Sequence, residues 1–141
     1  MTTTNKEAEA ALTKGIDAAK NYNFNSSIIY YTKAIELDPK LTGAYNSRGK
    51  AYHNLKKDEE AIADYTKAIE LDPKLAAAYY NRGNAYMNLE KYPEAIADYT
   101  KAIELDPKLT GAYNYRGNAY KSLGKNNEAN ADFAKVKAPE M

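Results

Sequence analysis

YTKAIELDPKL spans residues 31–41, returns unchanged at 65–75 and returns again at 99–109. Identical stretches at a fixed interval mark a repeat architecture, in which each copy is one small structural phrase completed by its neighbours. Pro39, Pro73 and Pro107 set the period at 34 residues. The phase gives a polar lead-in at 1–7, units at 8–41, 42–75 and 76–109, and an incomplete fourth unit at 110–141 that reads as a cap. A chain of 141 residues suits a short array of this kind, and residues 8–141 are expected to form one repeat domain.

Two helical stretches stand out in the second unit, LTGAYNSRGKAYHNL at 41–55 and DEEAIADYTKAIEL at 58–71. The Lys56-Lys57 link between them is short, so the pair must be antiparallel. Asp58 is the expected N-cap of the second helix, with acidic residues behind it in the first turn. Pro93 sits near a helix start, where a missing N–H is harmless. The Asp-Pro steps end each second helix, because the residue before proline avoids the α region.

At about 100° per residue, unit positions 4, 8 and 11 share one narrow face of the first helix. In the second unit these are Tyr45, Gly49 and Tyr52. A glycine inside a helix costs about 1 kcal/mol against alanine, so Gly49 is expected to admit a close approach opposite the small Ala61. Tyr65 and Ala68 complete the packed face. One hairpin cannot bury both of its faces, and stacking like hairpins makes a continuous core.

The recurring positions are Tyr45, Arg48, Gly49, Tyr52, Ala61, Tyr65 and Pro73 in the second unit. The third has Tyr79, Arg82, Gly83, Tyr86, Ala95, Tyr99 and Pro107, and the fourth has Tyr113, Arg116, Gly117, Tyr120, Ala129 and Phe133. This pattern resembles the tetratricopeptide repeat, W-x2-L-G-x2-Y…A-x3-F…P. The resemblance implies an all-α fold, a right-handed α-solenoid of stacked antiparallel helix hairpins wound into a superhelix.

It also implies a function. Unit positions 2, 5, 9, 12 and 13 fall within an arc of about 100° on the first helix, and in tetratricopeptide arrays this strip lines a concave groove that receives a partner's extended peptide or helix. Here the strip carries Asn46, Lys50, His53 and Asn54, then Tyr80, Asn84, Met87 and Asn88, then Asn114, Asn118, Lys121 and Ser122, with Asn81 beside it. Asparagines offer donors and acceptors to a peptide backbone, and Tyr80 and Met87 offer apolar contacts. Chaperone-adaptor relatives clamp a C-terminal carboxylate with basic residues and asparagines. The matching positions here are Leu12, Ile16, Ser47, Ala77 and Asn81, and one unit further along they are Asn46, Lys50, Asn81, Gly111 and Tyr115. Neither set supplies the basic pair, so acidic chaperone tails are not the expected ligand. The apolar Leu12/Ile16 strip suggests a hydrophobic anchor at the first-unit end.

Three departures from the family pattern matter. In the first unit Ala11 and Ala18 replace tyrosines, Ser27 replaces the alanine opposite Gly15, and Phe24 precedes the second helix. The fourth unit carries Asn130 where earlier units have Ile62 and Ile96, a polarity that suits a terminal face. Arg48, Arg82 and Arg116 stand where the family usually has leucine. Each must find a partner or reach water: either it pairs with an acid of the preceding repeat, such as Glu36, Glu70 or Glu104, or its side chain snorkels to solvent.

Other chemistries find little support. Lys and Arg total 20 against 19 Asp and Glu, and cysteine is absent. That balance gives no electrostatic case for nucleic acid or an anionic membrane. The lack of cysteine removes thiolate zinc sites and cysteine nucleophiles. His53 is the sole histidine and makes no metal site alone. None of Ser26, Ser27, Ser47 and Ser122 lies in a nucleophile elbow. The start, MTTTNKEAEAALTKG, lacks a secretory signal's apolar core, so a cytoplasmic location is expected. The leading expectation is therefore a non-catalytic scaffold without cofactor or metal that binds a protein or peptide. Two alternatives stay open: a homo-oligomer built by end-to-end repeat stacking or domain swapping, and a consensus-like designed scaffold without a natural ligand.

Overall fold

The computed structural model describes residues 3–137, so Met1, Thr2 and the end of the fourth unit from 138 lie outside the described residues. Those residues form helices α1 (Thr3–Lys20), α2 (Phe24–Leu37), α3 (Thr42–Asn54), α4 (Asp58–Leu71), α5 (Ala76–Asn88), α6 (Tyr92–Leu105), α7 (Thr110–Ser122) and α8 (Asn126–Lys137), with no strand among them. The all-α hairpin repeat expected from the sequence is the fold observed. Residues 3–7 of the lead-in belong to α1. The helices fall into two compact units, one running to Pro73 and the other starting at Lys74. In the first, α1 pairs with α2, α3 pairs with α4, and α2 packs on α3; the second repeats this with α5 to α8.

Local chemistry sets the helix ends. Each first helix closes in a Schellman-type turn: the Lys56 N–H donates to the His53 carbonyl at 2.9 Å, and the Lys57 N–H to that of Tyr52 at 2.9 Å. The turn needs one left-handed residue, supplied by Tyr22, Lys56, Glu90 and Gly124 at φ 61°, 62°, 59° and 75°. Only Gly124 adopts that conformation freely; a side chain there costs about 1 kcal/mol or more. The second helices end at Asp38, Asp72 and Asp106, with φ near −142° and ψ near 90° before proline. Asp38 Oδ1 then accepts the Lys40 N–H at 3.1 Å, and Asp106 does the same for Lys108 at 3.2 Å. Asp58 is not the expected N-cap. Lys57 holds that position without a side-chain bond, while Asp58 is the first helical residue and lies buried beside His53.

A glycine governs each hairpin's packing. A Cβ placed on Gly49 would lie 2.6 Å from the Tyr65 ring, and one on Gly83 2.7 Å from the Tyr99 ring. Gly15 faces Tyr31 and Gly117 faces Phe133 in the same way. The group opposite Gly49 is thus the aromatic ring rather than Ala61: the second helix tips a flat side chain over the bare backbone, and the ring fills the space. Ala34, Ala61, Ala68, Ala95 and Ala102 are fully buried, as are Tyr65 and Tyr99. The first hairpin keeps this register despite its substitutions, because buried Ser27 satisfies its own hydroxyl by donating to the Asn23 carbonyl at 3.0 Å.

The arginines have partners other than those expected from the preceding repeat. Arg48 donates Nε and Nη2 to the two carboxylate oxygens of Asp64, both at 2.8 Å, and Nη1 to Thr32 Oγ1 at 3.1 Å. Arg116 does the same with Asp132, at 2.8 and 2.7 Å, and with Thr100 at 3.1 Å. Arg82 holds Asp98 through two bonds of 2.8 Å. The carboxylate belongs to the arginine's own hairpin, and for Arg48 and Arg116 the preceding hairpin supplies a hydroxyl. Glu36, Glu70 and Glu104 remain exposed, with Glu70 and Glu104 each 3.9 Å from a lysine of their own helix. The guanidinium also lies near tyrosine rings: Arg48 near Tyr52 at 5.9 Å, Arg82 near Tyr79 at 5.8 Å, and Arg116 near Tyr113 and Tyr120 at 5.7 and 5.9 Å. The Asp98 hydrogen bonds hold Arg82 charged further into the alkaline range than usual, against the effect of burial. Burial pushes the Asp98 carboxyl up, and the Arg82 bonds offset that only in part.

Urea or thermal unfolding reads the consequences of these turns and this packing. Gly49→Ala should destabilise the chain by about 1–3 kcal/mol through overpacking against Tyr65, whereas Lys56→Gly should gain about 1 kcal/mol by relieving a left-handed side chain. Arg82→Leu should cost about 3 kcal/mol because it strands the buried Asp98 carboxylate, and Arg82→Leu/Asp98→Leu should recover most of that loss. A double variant as unstable as the single one would contradict the pairing of Arg82 with Asp98.

Candidate functional site

Within each compact unit the residues of the expected strip differ in exposure and partners. In the first compact unit, Lys50 and Asn54 are exposed on α3, and Asn54 Nδ2 donates back to the Lys50 carbonyl at 2.9 Å. His53 is half-buried, and its Nδ1 lies 2.6 Å from Asp58 Oδ1 at the start of α4. That contact ties the sole histidine to a helix start. Asn46 is half-buried as well.

In the second unit the strip runs into an aromatic cluster. Ring centroids of Tyr80, Tyr99 and Tyr115 lie 6.0–6.3 Å apart. Gly111 makes room for it, since a Cβ there would sit 2.6 Å from the Tyr80 hydroxyl. Asn84 Oδ1 accepts the hydroxyl proton of buried Tyr99 at 2.6 Å. Burial pushes the hydroxyls of Tyr99 and Tyr80 above the usual phenol range, and a hydrogen bond with Asn84 pulls Tyr80 partly back. Met87 packs against the buried Ala95, Tyr99 and Ala112. Tyr80, Asn84 and Met87 are thus part of the packing. Asn81 and Asn114 are half-buried, whereas Asn88, Asn118, Lys121 and Ser122 are exposed. Asn118 differs from Asn84 for a clear reason: its hairpin carries Phe133 where the previous one has Tyr99, so no ring hydroxyl claims its amide.

One concavity of about 520 Å³ opens in the first unit. Ile16, Ala19, Tyr22, Phe24, Tyr31 and Ala51 form its apolar surface, and Lys20, Ser47, Lys50 and Asn54 supply its polar groups. The volume lies within the usual range for ligand sites. It unites Ile16, Lys50 and Asn54 of the expected strip with residues that sequence reasoning missed, above all Tyr22 and Phe24. The signal was available. The link between the helices of the first unit carries Tyr22, and Phe24 is the first residue of α2 rather than preceding it, where the second unit places Lys56 and Asp58. Among the described residues no three His, Cys, Asp or Glu gather as metal ligands, and no helix is long and apolar enough to cross a membrane.

Helix hairpins repeating every 34 residues, each closed by a glycine beneath an aromatic ring, define an α-helical repeat protein. Models of the tetratricopeptide repeat match residues 30–63, 76–109 and 98–129, and a related repeat model matches 55–90. The chain belongs to the tetratricopeptide repeat family. Tetratricopeptide repeat protein 36 of Caenorhabditis elegans is 37% identical over 51 residues, which is 36% of this chain and 28% of that protein. The chain therefore spans little more than a quarter of that relative's length. The first such domain of Spaghetti (RPAP3), solved bound to the HSP90 peptide SRMEEVD, is 31% identical with a TM-score of 0.84, over 85% of this chain and 95% of that one. The Arabidopsis OM64 domain is 32% identical with a TM-score of 0.82, over 84% and 98%. MamA is 30% identical with a TM-score of 0.89, over 92% and 75%.

The role of Asn84 can be tested directly. Asn84→Ala leaves the buried Tyr99 hydroxyl without its acceptor and should cost about 1–3 kcal/mol, while Asn84→Ala/Tyr99→Phe should recover much of the loss. Unfolding curves of the two variants decide between this structural role and a surface role, for which both would match the parent.

Proposed function

We propose that this chain is a non-catalytic protein-interaction module that holds an extended segment or helix of a partner protein. The observation that carries the reading is the concavity of about 520 Å³ in the first unit, where exposed Lys50 and Asn54 of the expected strip flank an apolar surface. Membership in the tetratricopeptide family supports it, as does likeness to an RPAP3 domain solved with a peptide bound. A non-catalytic role is consistent with a histidine tied to Asp58 and a sequence without cysteine. In the second unit, taken by itself, the exposed Asn118 and Lys121 are the proposed contacts. The RPAP3 peptide ends in Glu-Glu-Val-Asp, and the clamp positions here carry Leu12, Ile16, Ser47, Ala77 and Asn81, so we assign this chain a different class of segment.

The test is selection of a displayed random-peptide library on the purified chain. Enriched peptides are expected, and Lys50→Ala/Asn118→Ala/Lys121→Ala should weaken them by at least about tenfold, or about 1.4 kcal/mol, with unchanged melting temperature. No enrichment, or equal binding by the variant, would sink the reading.

A further inference from the structure

We infer that the concavity of the first unit is a specific anchor site for an internal acidic segment, in which one bulky apolar side chain is flanked on both sides by Asp or Glu. This rests on the interaction-module reading and narrows its partner. The lining holds two cations and no acid: Lys20 ends α1, Lys50 lies within α3, and neither has an ion-pair partner among the described residues. The remaining polar groups are largely occupied. Against the burial that raises the Tyr31 pKa, Ser47 stands beside the hydroxyl and lowers it, and the Asn54 amide nitrogen donates to the Lys50 carbonyl at 2.9 Å. A bound segment therefore meets an apolar floor with a charge offered from each of two helices.

The floor asks for a hydrophobic anchor. Tyr22 is 82% exposed and Ile16 37%, an amount of uncovered apolar surface that neighbouring positions of the repeat do not share: Lys56 replaces Tyr22 and Lys50 replaces Ile16 one unit along. Tyr22 also packs edge-on against Phe24, with ring centroids 6.3 Å apart, so the aromatic wall is already in place before a ligand arrives. A volume of about 520 Å³ leaves room for an aromatic or leucine side chain with its flanking backbone. Lys20 has a second duty, because it offsets the carbonyl end of α1; Lys50, within its helix, has none. Two lysines on separate helices offer one cation to each of two carboxylates spaced along a chain, and we assign those carboxylates to side chains on either side of the anchor.

The probe is the fluorescein-labelled, acetylated and amidated peptide Gly-Ser-Asp-Phe-Asp-Ser-Gly, titrated against the whole chain by anisotropy. Replacing Phe by Ala, or both Asp by Lys, should weaken binding by at least about tenfold. Lys20→Gln/Lys50→Gln should do the same and flatten the salt dependence, and Lys20→Arg/Lys50→Arg should restore both. Lys50→Gln alone, which leaves the end of α1 untouched, guards against a folding artefact and should still lose affinity. Equal binding of the charge-reversed peptide, indifference to the lysine variants, or binding that appears only with a free C-terminal carboxylate would overturn the assignment. If library peptides bind but ignore Lys20 and Lys50, this inference fails and the interaction module stands; if no library peptide binds, both fail.

Discussion

Each hairpin closes because a glycine in its first helix lets an aromatic ring of the second lie against bare backbone. Gly49 beneath Tyr65 and Gly83 beneath Tyr99 are the type cases, with hypothetical Cβ distances of 2.6 and 2.7 Å. Everything else in a hairpin is placed by that contact. It draws the helices close enough for alanines such as Ala61 and Ala95 to reach complete burial. It also brings the residue just before each glycine within reach of the one just before each ring. Arg48 and Asp64 are such a pair, Arg82 and Asp98 another, Arg116 and Asp132 the third.

That second contact shows why buried ionic groups persist in a fold whose core is otherwise small and apolar. The guanidinium is planar, so it can hold a carboxylate with two bonds while tyrosine rings approach it. In the first compact unit Arg48 also reaches the Thr32 hydroxyl of the neighbouring hairpin, and in the second Arg116 reaches Thr100. One side chain thus fixes the geometry within a hairpin and the register against the one before it. The first hairpin has Lys14 and Tyr30 at the corresponding places and leaves Tyr30 38% exposed.

The same frame carries different surfaces. At one unit position the chain has Ile16, Lys50, Asn84 and Asn118, and the structure gives these residues different duties. Ile16 and Lys50 border the concavity, Asn84 is bound to the Tyr99 hydroxyl, and Asn118 is exposed opposite Phe133. Sequence periodicity treats these positions as equivalent. The two asparagines differ because of a side chain fifteen residues away on the partner helix, Tyr99 for Asn84 and Phe133 for Asn118, a non-local pairing that helical spacing cannot register.

The sequence alone determined the period, the antiparallel pair of helices in a repeat, and the Asp-Pro ends, because these follow from local rules: helical spacing, proline sterics and short links. It also marked the arginines as needing a partner. Only the tertiary structure named that partner as Asp64, Asp98 or Asp132, moved Asp58 from a cap to a buried contact with His53, and put a ring rather than Ala61 over Gly49. The binding strip divides in the same way. Helical spacing defines the face expected to bind, but which of its residues also take part in packing depends on groups that approach from another helix. Tyr22 and Phe24 join Lys50 around one concavity because chain folding brings a link and a later helix together, and no local rule encodes that meeting.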